Sequence, residues 1–184
     1  MVELASRRSP TLPAAEWLTP LPPALRFSFC GGAAAQAAAA PVWGTDFSTI
    51  ACRALVNGSR ATLWLGPDEY LLLDSRNIDS SSGETGTFHA LEQALADIPH
   101  ALVDVSHRQF AFEISGPHAA NILNGACPLD LDLRAFPVGM CTRTVFAKAD
   151  ILLWRTAETV FHVEVWRSFA GYVTGLLKEI AAEF

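Results

Sequence analysis

The chain has 184 residues, 51% of them hydrophobic and 17% charged, with 19 Asp and Glu against 13 Lys and Arg and a net charge of −6. That composition supports a substantial core and excludes intrinsic disorder. With no basic block, it also argues against nucleic acid or an anionic membrane as partner. The apolar fraction is high enough to suggest that a partner covers part of the surface.

Cys30, Cys52, Cys127 and Cys141 form no CxxC pair and have no histidine at ligand spacing, so no metal site is expected. The opening MVELASRRSPTLPAAEWL lacks the apolar centre of a signal peptide. No run reaches the ~18 apolar residues of a membrane span. A cytoplasmic protein with free thiols is the expectation.

Residues 1–24 carry five prolines, which remove donors and fix φ, so an extended, irregular arm is predicted there. Residues 25–184 read as one domain, divisible into similar halves at 25–100 and 101–184. Leu25–Phe29 reads as a strand, and the alanine run 31–40 as a small helix ended by Pro41. Residues 61–73 form two apolar runs around Gly66-Pro67-Asp68-Glu69, a hairpin signature. Residues 74–86 read as a polar loop, and Phe88, Leu91, Leu95 and Ile98 recur at helical spacing before Pro99.

Phe110, Phe112 and Ile114 alternate with Ala111 and Glu113, which predicts a strand with one buried face. A short helix follows, from Pro117 to Gly125. Residues 126–141 are a loop, 142–165 strands with turns near 148–150 and 156–159, and Ser168 is the expected cap of a last helix. That helix shows a broad apolar stripe from Phe169 to Ile180. Leu63-Trp64, a turn, YLLL and a helix resemble Leu153-Trp154, a turn, VFHVEV and a helix. The reading is α+β: a layered, mixed or antiparallel sheet of pseudo-repeated hairpin–helix units covered by helices.

Asp104, Ser106, His107 and Arg108 stand within five residues. On a strand, adjacent Ser106 and His107 point to opposite faces and cannot form a nucleophile–base pair, and no GxSxG elbow is present. Strand-end capping by Asp104 and Ser106 is the simpler role, with ligand or interface contact by His107 or Arg108 as the alternative. Arg143 and Arg167 lie among apolar strand residues and suit bidentate carboxylate pairing, within the chain, across an interface or to a substrate. No dinucleotide fingerprint, phosphate loop or HExxH occurs. Catalytic and metal-binding residues are therefore expected to be none.

LGPDEYLLL, VDVSHRQ, ISGPHAANILNGACPLDLDLRAFPVGMCTRT and VWRSFAGY, in this order over roughly residues 60–175, resemble the gamma-subunit family of heterotetrameric sarcosine oxidases. More distantly, the DVSH strand and the following helix resemble aminomethyltransferase-like folate proteins. The resemblance implies the folate-enzyme fold without its active site, since the relatives' Asn-Asp motif has no counterpart in this sequence. It also implies alpha, beta and delta subunits as partners, with FAD, FMN, NAD, zinc and tetrahydrofolate held on those subunits and none in this chain. The implied role is non-catalytic assembly of a complex that demethylates sarcosine. A stand-alone tetrahydrofolate-binding module and an independent hydrolase or methylamine transferase are the competing readings. A homodimer of the isolated chain, paired through a strand edge, is also allowed.

Overall fold

The computed structural model describes residues 16–76 and 81–184, with 81–85 described by backbone only. The first fifteen residues, with Pro10 and Pro13, and the loop positions 77–80 lie outside the described residues. The elements in chain order are β1 (Leu18–Pro20), β2 (Leu25–Gly31), α1 (Ala33–Trp43), β3 (Ala54–Asn57), β4 (Arg60–Gly66) and β5 (Glu69–Asp74). Then come α2 (Ser81–Leu95), β6 (His100–Asp104), β7 (Gln109–Ser115) and α3 (Ala119–Asn124). The last are β8 (Cys141–Phe146), β9 (Ala149–Ala157), β10 (Val160–Trp166), a 3-10 turn (Arg167–Phe169) and α4 (Ala170–Ala181).

The strands divide into two antiparallel sheets, β3-β4-β5-β2-β6 and β8-β9-β10-β7-β1. The pseudo-repeat is more complete than the hairpin and helix alone. Strand, helix, three strands and helix occur twice, and the two sheets share one strand order. Only the last place differs. In the first sheet β6 pairs with β2. In the second, β1 from the N-terminal arm pairs with β7 through Leu18↔Ile114, Thr19↔Glu113 and Pro20↔Phe112. Residues 18–20 are thus a regular strand, and Leu18 is buried in the core.

Period-2 alternation gives each strand two faces, and here both are covered. Phe27, Phe29, Tyr70 and Leu72 pack outward onto Ala35, Ala39 and Trp43 of α1 and Leu91 and Leu95 of α2. Phe110, Phe112, Ile114, Phe161 and Val163 pack onto α3 and α4 through Ile122, Val173 and Leu177. Between the sheets lie Ala61, Leu63, Leu71, Leu73, Cys141 and Leu152, with Trp154 against them. The architecture is helix–sheet–sheet–helix.

Three local expectations change. Helix α1 runs through Pro41 to Trp43 and closes on Gly44, whose φ of 90° only glycine adopts readily. Pro41 sits in the last turn on an exposed side, so its missing N–H breaks little. Helix α2 begins at Ser81, inside the expected loop, because Gly83 and Gly86 lower helix propensity and hide its first turns. Ser168 lies within the 3-10 turn and caps nothing with its side chain; Phe169 holds the N-cap position of α4. Among the described residues no helix is long and apolar enough to cross a membrane.

Candidate functional site between the two sheets

Chain order places the Asp104–Arg108 cluster at the crossing from β6 of the first sheet to β7 of the second. Residues 106–108 form a turn, closed by the Arg108 N–H donating to the Val105 carbonyl at 3.0 Å. Strand alternation therefore does not govern Ser106 and His107. The Asp104 carboxylate accepts the Ser106 N–H at 2.8 Å. Ser106 Oγ accepts the Arg26 N–H at 2.9 Å, and Val105 N–H donates to the Arg26 carbonyl at 2.9 Å. Ser106 is buried, whereas Asp104, His107 and Arg108 are exposed. Asp104 and Ser106 are thus spent on capping backbone donors.

Arg26 continues inward. On β2, Leu25 and Phe27 face the helices, so Arg26 faces the second sheet. Its Nε donates to Glu164 Oε2 at 2.7 Å, and Glu164 Oε1 takes His162 Nε2 at 2.8 Å. Burial alone would raise the Glu164 carboxyl. The Arg26 charge and the His162 bond outweigh burial and hold it below the usual carboxylate range. Trp154 lies against His162, ring centroids 5.7 Å apart.

Beyond this triad the sheets part into a cleft of about 470 Å³. Gln109, Glu69, Asp150, Arg143, Arg108 and Trp166 line it. Two candidates from the sequence, Arg108 and Arg143, meet here; Asp104, Ser106, His107 and Arg167 do not line it. Arg143 pairs with Glu69, tying β8 to β5 across the sheets. The Arg108 guanidinium stands 5.8 Å from the Trp166 ring, and its backbone carbonyl accepts the Arg167 N–H at 3.0 Å. Gln109 Oε1 is buried and accepts no hydrogen bond among the described residues. An unmet buried acceptor costs about 1–3 kcal/mol. The described residues hold no group of three or more His, Cys, Asp or Glu arranged for a metal.

Sequence reasoning did not single out Arg26, Glu164, His162, Gln109 or Trp166. A signal existed for the triad. Arg26 and Glu164 each interrupt an apolar strand at a position flanked by buried neighbours, the pattern of a buried pair. Nothing in the sequence says that they pair across 138 residues.

Two helix-covered antiparallel sheets define an α+β protein with the aminomethyltransferase fold. The glycine cleavage system aminomethyltransferase T from Bartonella henselae superposes with a TM-score of 0.62 at 16% identity, over 87% of this chain and 44% of that one. The family is narrower. Residues 30–183 match the description "Sarcosine oxidase, gamma subunit family", and the chain belongs to it. Sarcosine oxidase subunit gamma from Corynebacterium sp. (strain P-1) is 35% identical over 124 residues, 67% of this chain and 58% of that protein. The subunit from Arthrobacter sp. is 36% identical over the same shares. The match thus spans less than three fifths of these relatives' length. A chain of the heterotetrameric sarcosine oxidase from Corynebacterium sp. U-96, solved with pyrrole 2-carboxylate, superposes with a TM-score of 0.82 at 28% identity. That match covers 93% of this chain and 87% of the solved one.

Proposed function

We propose that this chain is the non-catalytic gamma subunit of a heterotetrameric sarcosine oxidase, working in the cytoplasm beside alpha, beta and delta subunits. In this reading the complex demethylates sarcosine to glycine with tetrahydrofolate as one-carbon acceptor. The other subunits hold FAD, FMN, NAD, zinc and folate. Family membership over residues 30–183 carries the assignment. The non-catalytic part is supported by the fate of the Asp104–Arg108 cluster: Asp104 and Ser106 are consumed in bonds to backbone N–H groups. A nucleophile needs a base within hydrogen-bond reach and a free path to substrate, and buried Ser106 instead contacts the Arg26 backbone.

The test is co-expression of the tagged chain with the genes beside it. A yellow, stoichiometric complex that oxidises sarcosine, at an unchanged rate per assembled complex in Ser106→Ala, is the expected result. A colourless chain purified alone, or a rate abolished in an intact Ser106→Ala complex, would overturn the reading.

A further inference from the structure

The cleft is the place where the two-sheet sandwich fails to close. Glu164 and Trp166 share one face of β10, and Val103 on β6 shares the face of Ser28 through their register. Val145 lies on the Cys141 side of β8. Trp166, Val103 and Val145 lie on the sheet-facing sides of their strands, the two valines on the edge strands β6 and β8 beside the cleft lining. They are exposed: Val103 at 53%, Trp166 at 47% and Val145 at 40%. Two ion pairs, Arg26–Glu164 and Arg143–Glu69, join the sheets at this cleft. The exposed apolar strip extends along the chain past the cleft lining, to Phe169 in the 3-10 turn and Tyr172 in α4. Phe169 and Tyr172 stand edge to face at 6.4 Å.

Three features define what fills it. The strip is too long for a small molecule held inside the cleft, since Phe169 and Tyr172 lie beyond the cleft lining. The buried Gln109 Oε1 calls for an N–H or O–H donor. Exposed Arg108 makes no ion pair among the described residues and lines the cleft, where it suits a carboxylate, with exposed Asp150 supplying the one opposite charge left unpaired there. Trp, Tyr and Arg around a desolvated pocket are also the composition of interface hot spots.

We infer that the open end of the sandwich is the docking face for another subunit, which inserts a loop carrying an apolar side chain and an acidic residue. The loop's N–H meets Gln109, its apolar side chain covers Val103, Val145 and Trp166, and its carboxylate meets Arg108. This rests on the subunit reading above and names the face through which assembly occurs.

The test uses the co-expressed complex. Trp166→Glu and Val103→Asp are exposed changes, each expected to weaken assembly about tenfold or more with the isolated chain's melting temperature unchanged. Ile50→Glu, at an exposed apolar site away from the cleft, is expected to assemble as the unmodified chain does. Hydrogen exchange on the unmodified chain gives a second reading, with protection on assembly expected at 100–104, 143–150 and 166–172. If the unmodified complex forms but the cleft variants assemble normally and those segments gain no protection, the docking face is wrong while the subunit assignment stands. If the unmodified chain assembles with nothing, both fall. Protection of the cleft in the isolated chain by glycine or acetate, with none on assembly, would overturn the inference in favour of a small-carboxylate pocket.

Discussion

Arg26 Nε stands 2.7 Å from Glu164 Oε2, joining β2 of one sheet to β10 of the other, with neither side chain more than 3% exposed. His162 takes the second carboxylate oxygen at 2.8 Å. The apolar layer between the sheets, with Leu63, Leu71, Leu73 and Leu152, packs the rest of the same seam. The pair sets the sheets' relative position, because a buried charge displaced from its partner is costly.

Glu164→Ala leaves Arg26 charged, buried and unpaired. A loss of about 3–5 kcal/mol in unfolding free energy is expected, measured by urea titration. Arg26→Met combined with Glu164→Leu should recover most of it, and a double variant as unstable as the single one would show that packing, not charge, holds this place.

Acid should weaken the fold through Glu164 and Asp74. Burial would raise the Asp74 carboxyl, but hydrogen bonds from Arg76, Ser59 and Arg60 outweigh burial and lower it to about 2. A carboxyl depressed in the folded state binds fewer protons than in the unfolded chain, so stability rises with pH across that window. Its contribution is full above the ordinary carboxylate value near 4 and is lost as pH falls towards about 2. Urea midpoints from pH 6 downward should fall steeply, and Asp74→Asn should flatten the lower part of that curve.

Ser106→Ala removes the acceptor for the Arg26 N–H. An unfolding free energy lower by about 1–3 kcal/mol is expected, seen as an earlier urea midpoint. Ser106→Thr, which keeps the oxygen, should lose less.

At the β2–α1 junction, a Cβ on Gly31 would lie 2.7 Å from Ala35 Cβ and 2.8 Å from Phe29 Cζ. Gly31→Ala should cost about 1–3 kcal/mol by overpacking, whereas Gly32→Ala, with nothing within 4 Å, should be tolerated. Equal melting temperatures for the two variants would contradict the close approach.

The thiols should react in order of exposure. Cys30 is exposed, though partial burial and Glu69 raise its pKa against the opposing Arg143 charge. Cys141 is buried and pushed up to about 12, chiefly by desolvation. The thiolate is the reacting form, so maleimide mass shifts under native conditions should mark Cys30 early and Cys141 only on unfolding. Glu69→Gln should speed labelling at Cys30.

Local periodicity determined most of the elements. Alternation in 110–114 fixed a strand and its buried face, Gly66 to Glu69 fixed a hairpin, and the apolar stripe fixed α4. These depend only on neighbours two to four residues away, which a single sequence displays. The family was equally legible, because its motifs are contiguous. What the tertiary structure decided depends on pairs distant in the chain: the division of the described strands into two sheets, and the arm strand β1 standing where β6 stands in the first sheet. The same holds for the Arg26–Glu164 clamp and the meeting of Arg108 and Arg143 in one cleft. Alternation says that Arg26 and Val103 share a direction with other residues of their strands. Only the packing of one sheet on the other decides that Arg26 is sealed against Glu164 while Val103, on the edge strand β6, stays exposed.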